Sequence, residues 1–401
     1  MSTTNQSKLN QLFSKVPQVT IFFWIIKVLC TTVGETFSDF LSINVGLGLP
    51  LTTLLMGIAF VVVLFIQFRS TKYIPLVYWL TVVLISVFGT LLTDNLTDGF
   101  GVPLEQSTIA FSILLAATFL LWFASEKTLS IHSIYTAKRE AFYWLTILFT
   151  FALGTAVGDL YSEQLGVGYL GTGIIVIVII ACVFLAWKLK LNEILAFWIV
   201  YILTRPLGAS LGDYLSQSKT NGGLALGATI TSVIFLIAIL AIIVFLAVSK
   251  LDLISKEKAT PTIEPKDNTK RVWTQTISVI IVFLVVGIGG YIWWNQNIVP
   301  EVDSSQTTLS GQLNDFITIE KGILDNINGN NVSTAKSKAD DLEHDWDQNE
   351  PKLRKIDRKT WTDIDGTIDE VLAAVRTKSP DVNKCKSVIQ NSLDVLNTSN
   401  Q

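Results

Sequence analysis

The sequence predicts an all-α, polytopic membrane protein made of four parallel two-helix repeats (eight spans), a ninth span and a small extracytoplasmic helical bundle. Its composition, its apolar runs and a repeated motif support this fold class. Half of the 401 residues are hydrophobic and 16% are charged, whereas soluble proteins carry about 25% charged residues. The 18 acidic and 12 basic residues from Glu301 onward make the last quarter polar. The net charge of −3 therefore averages two unlike regions and indicates no nucleic-acid partner.

Nine apolar runs are long enough to cross about 30 Å of hydrocarbon. They cover residues 20–43, 49–67, 74–94, 107–124, 141–161, 170–187, 193–215, 224–248 and 273–294. The sequence thus divides into an N-terminal tail (1–19), a membrane domain (20–248), a linker (249–272), a ninth span (273–294) and a polar domain (295–401).

The charged loops predict the orientation of the spans. Lys and Arg favour the cytoplasmic side of a membrane. Lys and Arg residues precede span one and follow spans two, four, six and eight. The loops that follow spans one, three, five and seven contain only one basic residue, Lys219. We therefore expect a cytoplasmic N-terminus and linker, and an extracytoplasmic domain beyond the ninth span.

A motif recurs in every odd-numbered span of the membrane domain. An aromatic–Trp pair is followed by a glycine ten residues after the Trp and by an aspartate fifteen residues after it. The tryptophans are Trp24, Trp79, Trp144 and Trp198, the glycines are Gly34, Gly89, Gly154 and Gly208, and the aspartates are Asp39, Asp94, Asp159 and Asp213. The copies are 55, 65 and 54 residues apart, so each repeat is one helical hairpin. Because each repeat contains an even number of spans, all copies have the same orientation and their aspartates can converge near the outer leaflet.

The glycines and the aromatic pairs have structural interpretations. Each glycine and the small residue four positions later form a strip that lets helix backbones approach closely in lipid, so we expect the glycines to pack helices. The aromatic–Trp pairs are expected to anchor the spans at the cytoplasmic interface.

The aspartates have two interpretations. An ionised carboxylate at the centre of a span costs about 2.5–3.5 kcal/mol, so these groups need partners or water. They could accept hydrogen bonds from the backbone of the following outer turn, or they could form a cation or proton site. We favour the second interpretation because intramembrane acids are usually functional.

The first and fourth copies add further polar residues to the helix stripe that leads to the aspartate. The candidate cation-binding residues are Glu35, Asp39, Asp94, Asp159, Asp213, Lys27, Arg205, Thr31 and Tyr201. Glu35 and the four aspartates are the candidate metal ligands, and oxygen-only ligands suit hard or borderline divalent cations. Lys27 and Arg205 could pair with these carboxylates in the empty site. We expect no cofactor other than a bound substrate cation.

The motif resembles that of a bacterial and archaeal family of integral membrane proteins defined by a four-fold repeated domain of unknown function. The resemblance covers roughly residues 15–250 and depends on the run from Lys27 to Asp39 and on the pairs Gly158-Asp159 and Gly212-Asp213. The second copy departs from it, with Thr93 before its aspartate. The resemblance implies a multi-pass protein of the bacterial plasma membrane and little about mechanism.

The polar domain predicts an antiparallel bundle of four helices. We place them near residues 305–327, 332–349, 359–377 and 381–396, separated by turn signals. The acid-rich segment 340–347 is expected to be a solvated helix face.

These features favour a gradient-driven secondary transporter of a small cation, with a divalent metal such as Mn²⁺ as the favoured substrate and export as one possible direction. The chain contains no G-x-x-x-x-G-K-[ST] sequence, which argues against ATP-driven pumping. In an alternative that the sequence leaves open, the carboxylates carry only protons and the substrate is organic. A membrane-anchored sensor or adaptor, whose outer domain binds a ligand or protein, is a second hypothesis. An intramembrane aspartyl protease is a weaker third one, because four repeated acids fit a dyad poorly; we expect no enzymatic activity. The sequence leaves the oligomeric state open.

Overall fold

The computed structural model describes residues 14–217, 219, 222–252, 269–297, 306–377 and 379–401, and these contain helices and no β-strand. The repeat helices are α1 (Ile21–Asp39), α2 (Leu49–Arg69), α3 (Pro75–Asp94), α4 (Leu104–Glu126), α5 (Ala137–Asp159), α6 (Tyr169–Lys188), α7 (Glu193–Ser216) and α8 (Ala228–Ser249). The later helices are α9 (Thr269–Asn297), α10 (Asn314–Asn328), α11 (Val332–Arg376) and α12 (Val382–Ser399). Helices α1–α9 are long and apolar enough to span a membrane, which confirms the prediction of a multi-pass, all-α protein.

The repeat helices form two concentric rings. Helix α1 packs against α3 and α7, and α5 packs against the same two helices, so the odd-numbered helices form a closed inner bundle. Each even-numbered helix packs against the first helix of the following repeat: α2 on α3, α4 on α5, α6 on α7 and α8 on α1. The ring is therefore closed by the contact of the last repeat helix with the first.

The burial of the helices follows from the two rings. In the most apolar window of each inner span, 61–67% of residues are buried, against 11–28% in each outer span. The outer helices are apolar all round and face lipid, whereas the inner helices carry the motif and its polar residues. The repeat thus places the polar residues of its motif on the helices of the inner bundle.

Three inner helices change geometry directly after their aspartates. Helices α1, α3 and α5 continue into π-helical turns at Phe40–Asn44, Asn95–Gly99 and Leu160–Gln164, whereas α7 ends at Ser216 and the described residues after it contain no such turn. Such turns widen a helix locally and are common at functional sites. We call this end of the inner bundle the acidic end, and the opposite end, where Phe23, Tyr78, Tyr143 and Phe197 lie, the aromatic end.

Helix α9 lies on the outside of the bundle. Its apolar window has no buried residue, and polar contacts fix its two ends: Gln275 donates to the Lys190 carbonyl (3.1 Å) and Trp294 to the Leu165 carbonyl (2.6 Å). Most of the predicted linker, residues 253–268, and residues 1–13 of the N-terminal tail lie outside the described residues.

Residues 306–401, which we call the tail domain, contain α10, α11 and α12 around a core that includes Leu342, Trp346 and Ile364. The prediction of four helices was wrong at two points. The first helix begins at Asn314, and the second and third join in α11, interrupted only at Asp357 (φ −147°, ψ 92°). Asp357 caps the second half of α11 because its carboxylate accepts hydrogen bonds from the backbone N–H and hydroxyl of Thr360 (3.1 and 2.6 Å).

The tail domain packs on the acidic end of the inner bundle. Helix α11 contacts the π-helical turns after α1, α3 and α5. Arg358 reaches Glu105 and Gln164 of the membrane domain, each at 3.3 Å. The tail domain and the four motif aspartates therefore lie at the same end of the membrane bundle.

Candidate functional site

The four motif aspartates form a ring at the acidic end. Coulombic interactions link each to its neighbours around the bundle: Asp39 to Asp94, Asp94 to Asp159, Asp159 to Asp213, and Asp213 to Asp39. Among the described residues, none of these carboxylates accepts a hydrogen bond from a protein donor. The interpretation in which each aspartate binds the backbone of its own outer turn therefore finds no support in the geometry.

The ring lies beneath the tail domain but retains contact with solvent. Asp39, Asp94 and Asp159 are half-buried, and Asp213 is 7% exposed. The tail domain contributes Asp347, Asp365 and Asp369, which interact electrostatically with one another, and Asp369 also interacts with Asp39. We call the space between the aspartate ring and these tail acids the acidic chamber.

The charge density of the acidic chamber affects its tail residues. Burial and the neighbouring carboxylates of Asp98 and Glu343 raise the pKa of Asp369 to about 7. Asp369 nevertheless keeps accessible surface. Burial alone lowers the pKa of Arg354, but Glu350 and Asp98 outweigh it and raise that pKa above its ordinary value.

One turn below the ring, an ion pair crosses the axis of the inner bundle. Arg205 Nη2 on α7 donates to Glu35 Oε2 on α1 at 2.5 Å. The same nitrogen lies 2.5 Å from Thr90 Oγ1 on α3 and 2.7 Å from Thr155 Oγ1 on α5. Three inner helices thus contribute one oxygen each, from equivalent positions of their repeats, and the fourth contributes the arginine.

The four motif glycines allow the inner helices to approach this closely. A Cβ atom added at any of them would come within 2.7 Å of a side chain of the adjacent inner helix. The four pairs are Gly34 with Ser86, Gly89 with Phe151, Gly154 with Arg205 and Gly208 with Thr31. These partners occupy equivalent positions in the four repeats, so the same close contact recurs around the ring.

Lys27 does not join the carboxylates. Its ammonium lies 3.8 Å from the centre of the Phe151 ring and 4.3 Å from that of Tyr201. Within the described part of the chain, Lys27 forms no ion pair, so its predicted pairing with the carboxylates is not observed. The aromatic faces hold its ammonium one layer below Glu35. Thr31 is likewise occupied elsewhere, donating to the Thr204 carbonyl at 3.1 Å and thereby joining α1 to α7.

The aromatic end is closed. Phe23, Tyr78 and Tyr143 are fully buried, and the two tyrosine hydroxyls are 2.5 Å apart. The segment before α1 covers this end, where Lys15 pairs with Glu140 at 2.6 Å. Trp79, Trp144 and Trp198 are also buried in this cluster, so their prediction as lipid-interface anchors was wrong: protein surrounds them.

Sequence reasoning missed several residues of the site. Thr90 and Thr155 occupy the position of Glu35 in their repeats but were not among the candidate residues, and neither were the tail acids Asp365 and Asp369. The alignment of the repeats was the signal that could have identified the two threonines. No sequence signal indicated the tail acids. Among the described residues, no three His, Cys, Asp or Glu side chains are close enough together to hold one metal ion.

Comparison with known proteins identifies the repeat. A family model described as Repeat of Unknown Function (DUF347) matches residues 22–73, 77–128, 142–190 and 196–252. Each segment contains one copy of the motif, which confirms the resemblance noted from the sequence. No curated protein and no solved structure matches the chain. Since the four matches cover more than half of its length, the chain belongs to the family defined by the DUF347 repeat.

Proposed function

We propose that the protein is a gradient-driven secondary transporter of a small cation, with a divalent metal such as Mn²⁺ as the favoured substrate. One observation carries the proposal: four carboxylates from four repeats converge at the acidic end, and within the described residues none of them accepts a hydrogen bond from a protein donor. A converging set of acids in a membrane protein needs a mobile positive charge or water to offset its repulsion.

The spacing of the carboxylates favours a hydrated cation. The described residues provide no cluster of three metal ligands, so the ring would hold an ion through its water shell. Mg²⁺ releases its water reluctantly and is commonly bound in this way, and we propose the same mode of binding for the substrate cation here. The tail acids would extend the same negative field outward and concentrate cations above the ring.

The closed aromatic end supports a transport cycle with alternating access. The buried aromatic cluster and the Lys15–Glu140 pair block that end, whereas the carboxylates at the acidic end retain accessible surface. We propose that the acidic end faces outside the cell, as expected from the loop charges, that the cation loads there, and that the aromatic end opens in a second state. Transport would be driven by an ion or proton gradient.

Flux measurements in proteoliposomes test the proposal. Mn²⁺ and proton flux are compared between the wild type, Asp39→Asn and Asp213→Asn, with Asp341→Asn as a control because Asp341 is exposed on the tail domain. We expect both ring variants to lose flux and the control to keep it. Unchanged flux in both ring variants would contradict the proposal.

A sensor or adaptor is the second candidate, favoured by the docking of the tail domain on the acidic end. It predicts that deletion of residues 296–401 abolishes activity, while alanine at all four ring aspartates leaves it intact. The transporter proposal predicts loss of flux in the four-alanine variant, so the two variants separate the candidates.

A further inference from the structure

The three oxygens around Arg205 Nη2 have the geometry of a cation site. Glu35 Oε2, Thr90 Oγ1 and Thr155 Oγ1 lie 2.5, 2.5 and 2.7 Å from this one atom. They come from three different helices and from the same position of the repeat. The fourth repeat has Ala209 at that position, so the site is open on the side from which the arginine enters.

The threonine hydroxyls are oriented as acceptors toward this point. Thr90 Oγ1 donates its hydrogen to the Ser86 carbonyl (3.2 Å), and Thr155 Oγ1 donates to the Phe151 carbonyl (3.0 Å). A hydroxyl has one hydrogen to donate, so only lone pairs remain to face the axis. Together with the carboxylate, the site presents three acceptors and no donor.

Arg205 fits this site poorly. Its Nη2 carries two hydrogens but is surrounded by three acceptors, while its buried Nε and Nη1 find no hydrogen-bond partner in the described part of the chain. The whole side chain is 0% exposed, so water does not compensate from the protein surface. A spherical cation would satisfy all three oxygens at once, whereas the guanidinium leaves two of its nitrogens unused.

We propose that Glu35, Thr90 and Thr155 form a binding site for a monovalent alkali cation such as Na⁺, and that Arg205 is its tethered occupant in the state described. The single carboxylate supplies one negative charge, which matches one positive charge. Distances of 2.5–2.7 Å exceed the ~2.1 Å that Mg²⁺ requires. The proposal extends the proposed function: this site would bind the coupling ion, one layer below the ring that binds the substrate.

Thermal unfolding of the purified full-length protein in nanodiscs, with NaCl replacing choline chloride at constant ionic strength, tests the site. While the Arg205 side chain occupies the site, the apparent affinity for Na⁺ is reduced in proportion to the fraction of protein molecules whose site is empty. Arg205→Met removes this competitor, so we expect it to lower the Na⁺ concentration that gives half of the maximal stabilisation by at least about tenfold. Glu35→Gln in the Arg205→Met background should abolish the Na⁺ effect. Thr90→Val/Thr155→Val should weaken it, whereas Thr118→Val should not, since among the described residues the buried Thr118 hydroxyl bonds only the Leu114 carbonyl of its own helix.

Two outcomes would overturn the proposal. One is an Arg205→Met protein that folds and shows no stabilisation specific to Na⁺. The other is failure of both Arg205→Met and Arg205→Gln to fold in high NaCl, which would identify Arg205 as a permanent structural element.

The assay contains no transported substrate, so it is independent of the proposed function. Asp39→Asn should lose flux but keep the Na⁺ effect. A Na⁺ effect in a protein without flux would reject only the proposed function, and flux without a Na⁺ effect would reject only this site.

Discussion

Gly154 lies directly against the side chain of Arg205. A Cβ atom added at Gly154 would come within 2.5 Å of Arg205 Cγ and 2.6 Å of its Cβ. The glycine on α5 therefore provides the space through which the arginine of α7 reaches the axis. The motif glycine and the central ion pair are thus one structural unit.

Gly154→Ala is expected to lower the free energy of unfolding by about 1–3 kcal/mol, the usual cost of overpacking a well-packed core. The measurement is equilibrium unfolding of the purified protein in mixed micelles. Gly158→Ala is the matched control, one turn along the same helix, where the nearest atom to an added Cβ is that of Ala209 at 3.8 Å. Equal stability of the two variants would show that the contact does not constrain Arg205.

Removal of one partner of the Glu35–Arg205 pair should be more harmful than removal of both. An unpaired buried charge costs about 3–5 kcal/mol, so Glu35→Gln and Arg205→Met should each destabilise the protein in choline buffer. The double variant should lose less than the sum of the two changes. Unfolding free energies of the four proteins in a double-mutant cycle give the interaction energy.

Lys27→Met provides the contrast to this cycle. The Lys27 ammonium contacts aromatic faces and has no carboxylate partner within the described residues, so its removal leaves no buried charge unpaired. We expect this variant to be as stable as the wild type or more stable. A loss as large as that of Arg205→Met would show that Lys27 has an ionic partner in solution.

The tail domain should become less stable as the pH rises. Glu320 is 0% exposed, and burial raises its pKa to about 7, opposed by a hydrogen bond from Ser392. The folded state thus keeps this proton to higher pH than the unfolded chain does. Its stabilising contribution is complete below the ordinary pKa of 4.5 and is lost by about pH 7.

Glu320→Gln should remove this pH dependence and stabilise α10 at alkaline pH, by up to ~3 kcal/mol. Hydrogen exchange of α10 in the full-length protein, corrected for intrinsic rates at each pH, measures the effect. Asp325→Asn is the control on the same helix because Asp325 is exposed. An unchanged pH profile in Glu320→Gln would mean that another group dominates the transition.

A covalent link between the tail domain and the membrane domain should reduce flux if cations enter beneath the tail. Arg358 contacts Gln164 at 3.3 Å, so Gln164→Cys combined with Arg358→Cys allows cross-linking by a short bismaleimide. We expect treatment to lower flux in the double variant and to have no effect on either single variant, which controls for the native cysteines. Full flux in the cross-linked protein would show that the tail domain need not move.

Much of the inner bundle could be predicted because the repeat encodes it. Four equal spacings from Trp to Gly to Asp place equivalent side chains at one depth, and the parity of the spans gives the copies one orientation. The convergence of Asp39, Asp94, Asp159 and Asp213 follows from these two facts once the ring closes. The same alignment placed Thr90 and Thr155 at the level of Glu35, but their role depends on hydroxyl orientation, which the sequence does not determine.

Other features depend on contacts between distant segments. The π-helical turns after three of the four aspartates have no evident signal in the local sequence. From its residue type and its place near the start of a span, Trp79 looks like a residue of the membrane interface. Only the packing of the inner helices shows that it is buried. The docking of α11 on the acidic end likewise joins distant segments: the partners of Arg358 lie 194 and 253 residues before it in the chain.

The contact of α8 with α1 sets an order for biosynthesis. Helix α1 enters the membrane first, yet one of its main neighbours is the last repeat helix to be made. Until α8 arrives, the outward face of α1 lacks the partner that Ser232 provides to Thr36 (2.8 Å), and a chain that stops early cannot close the ring.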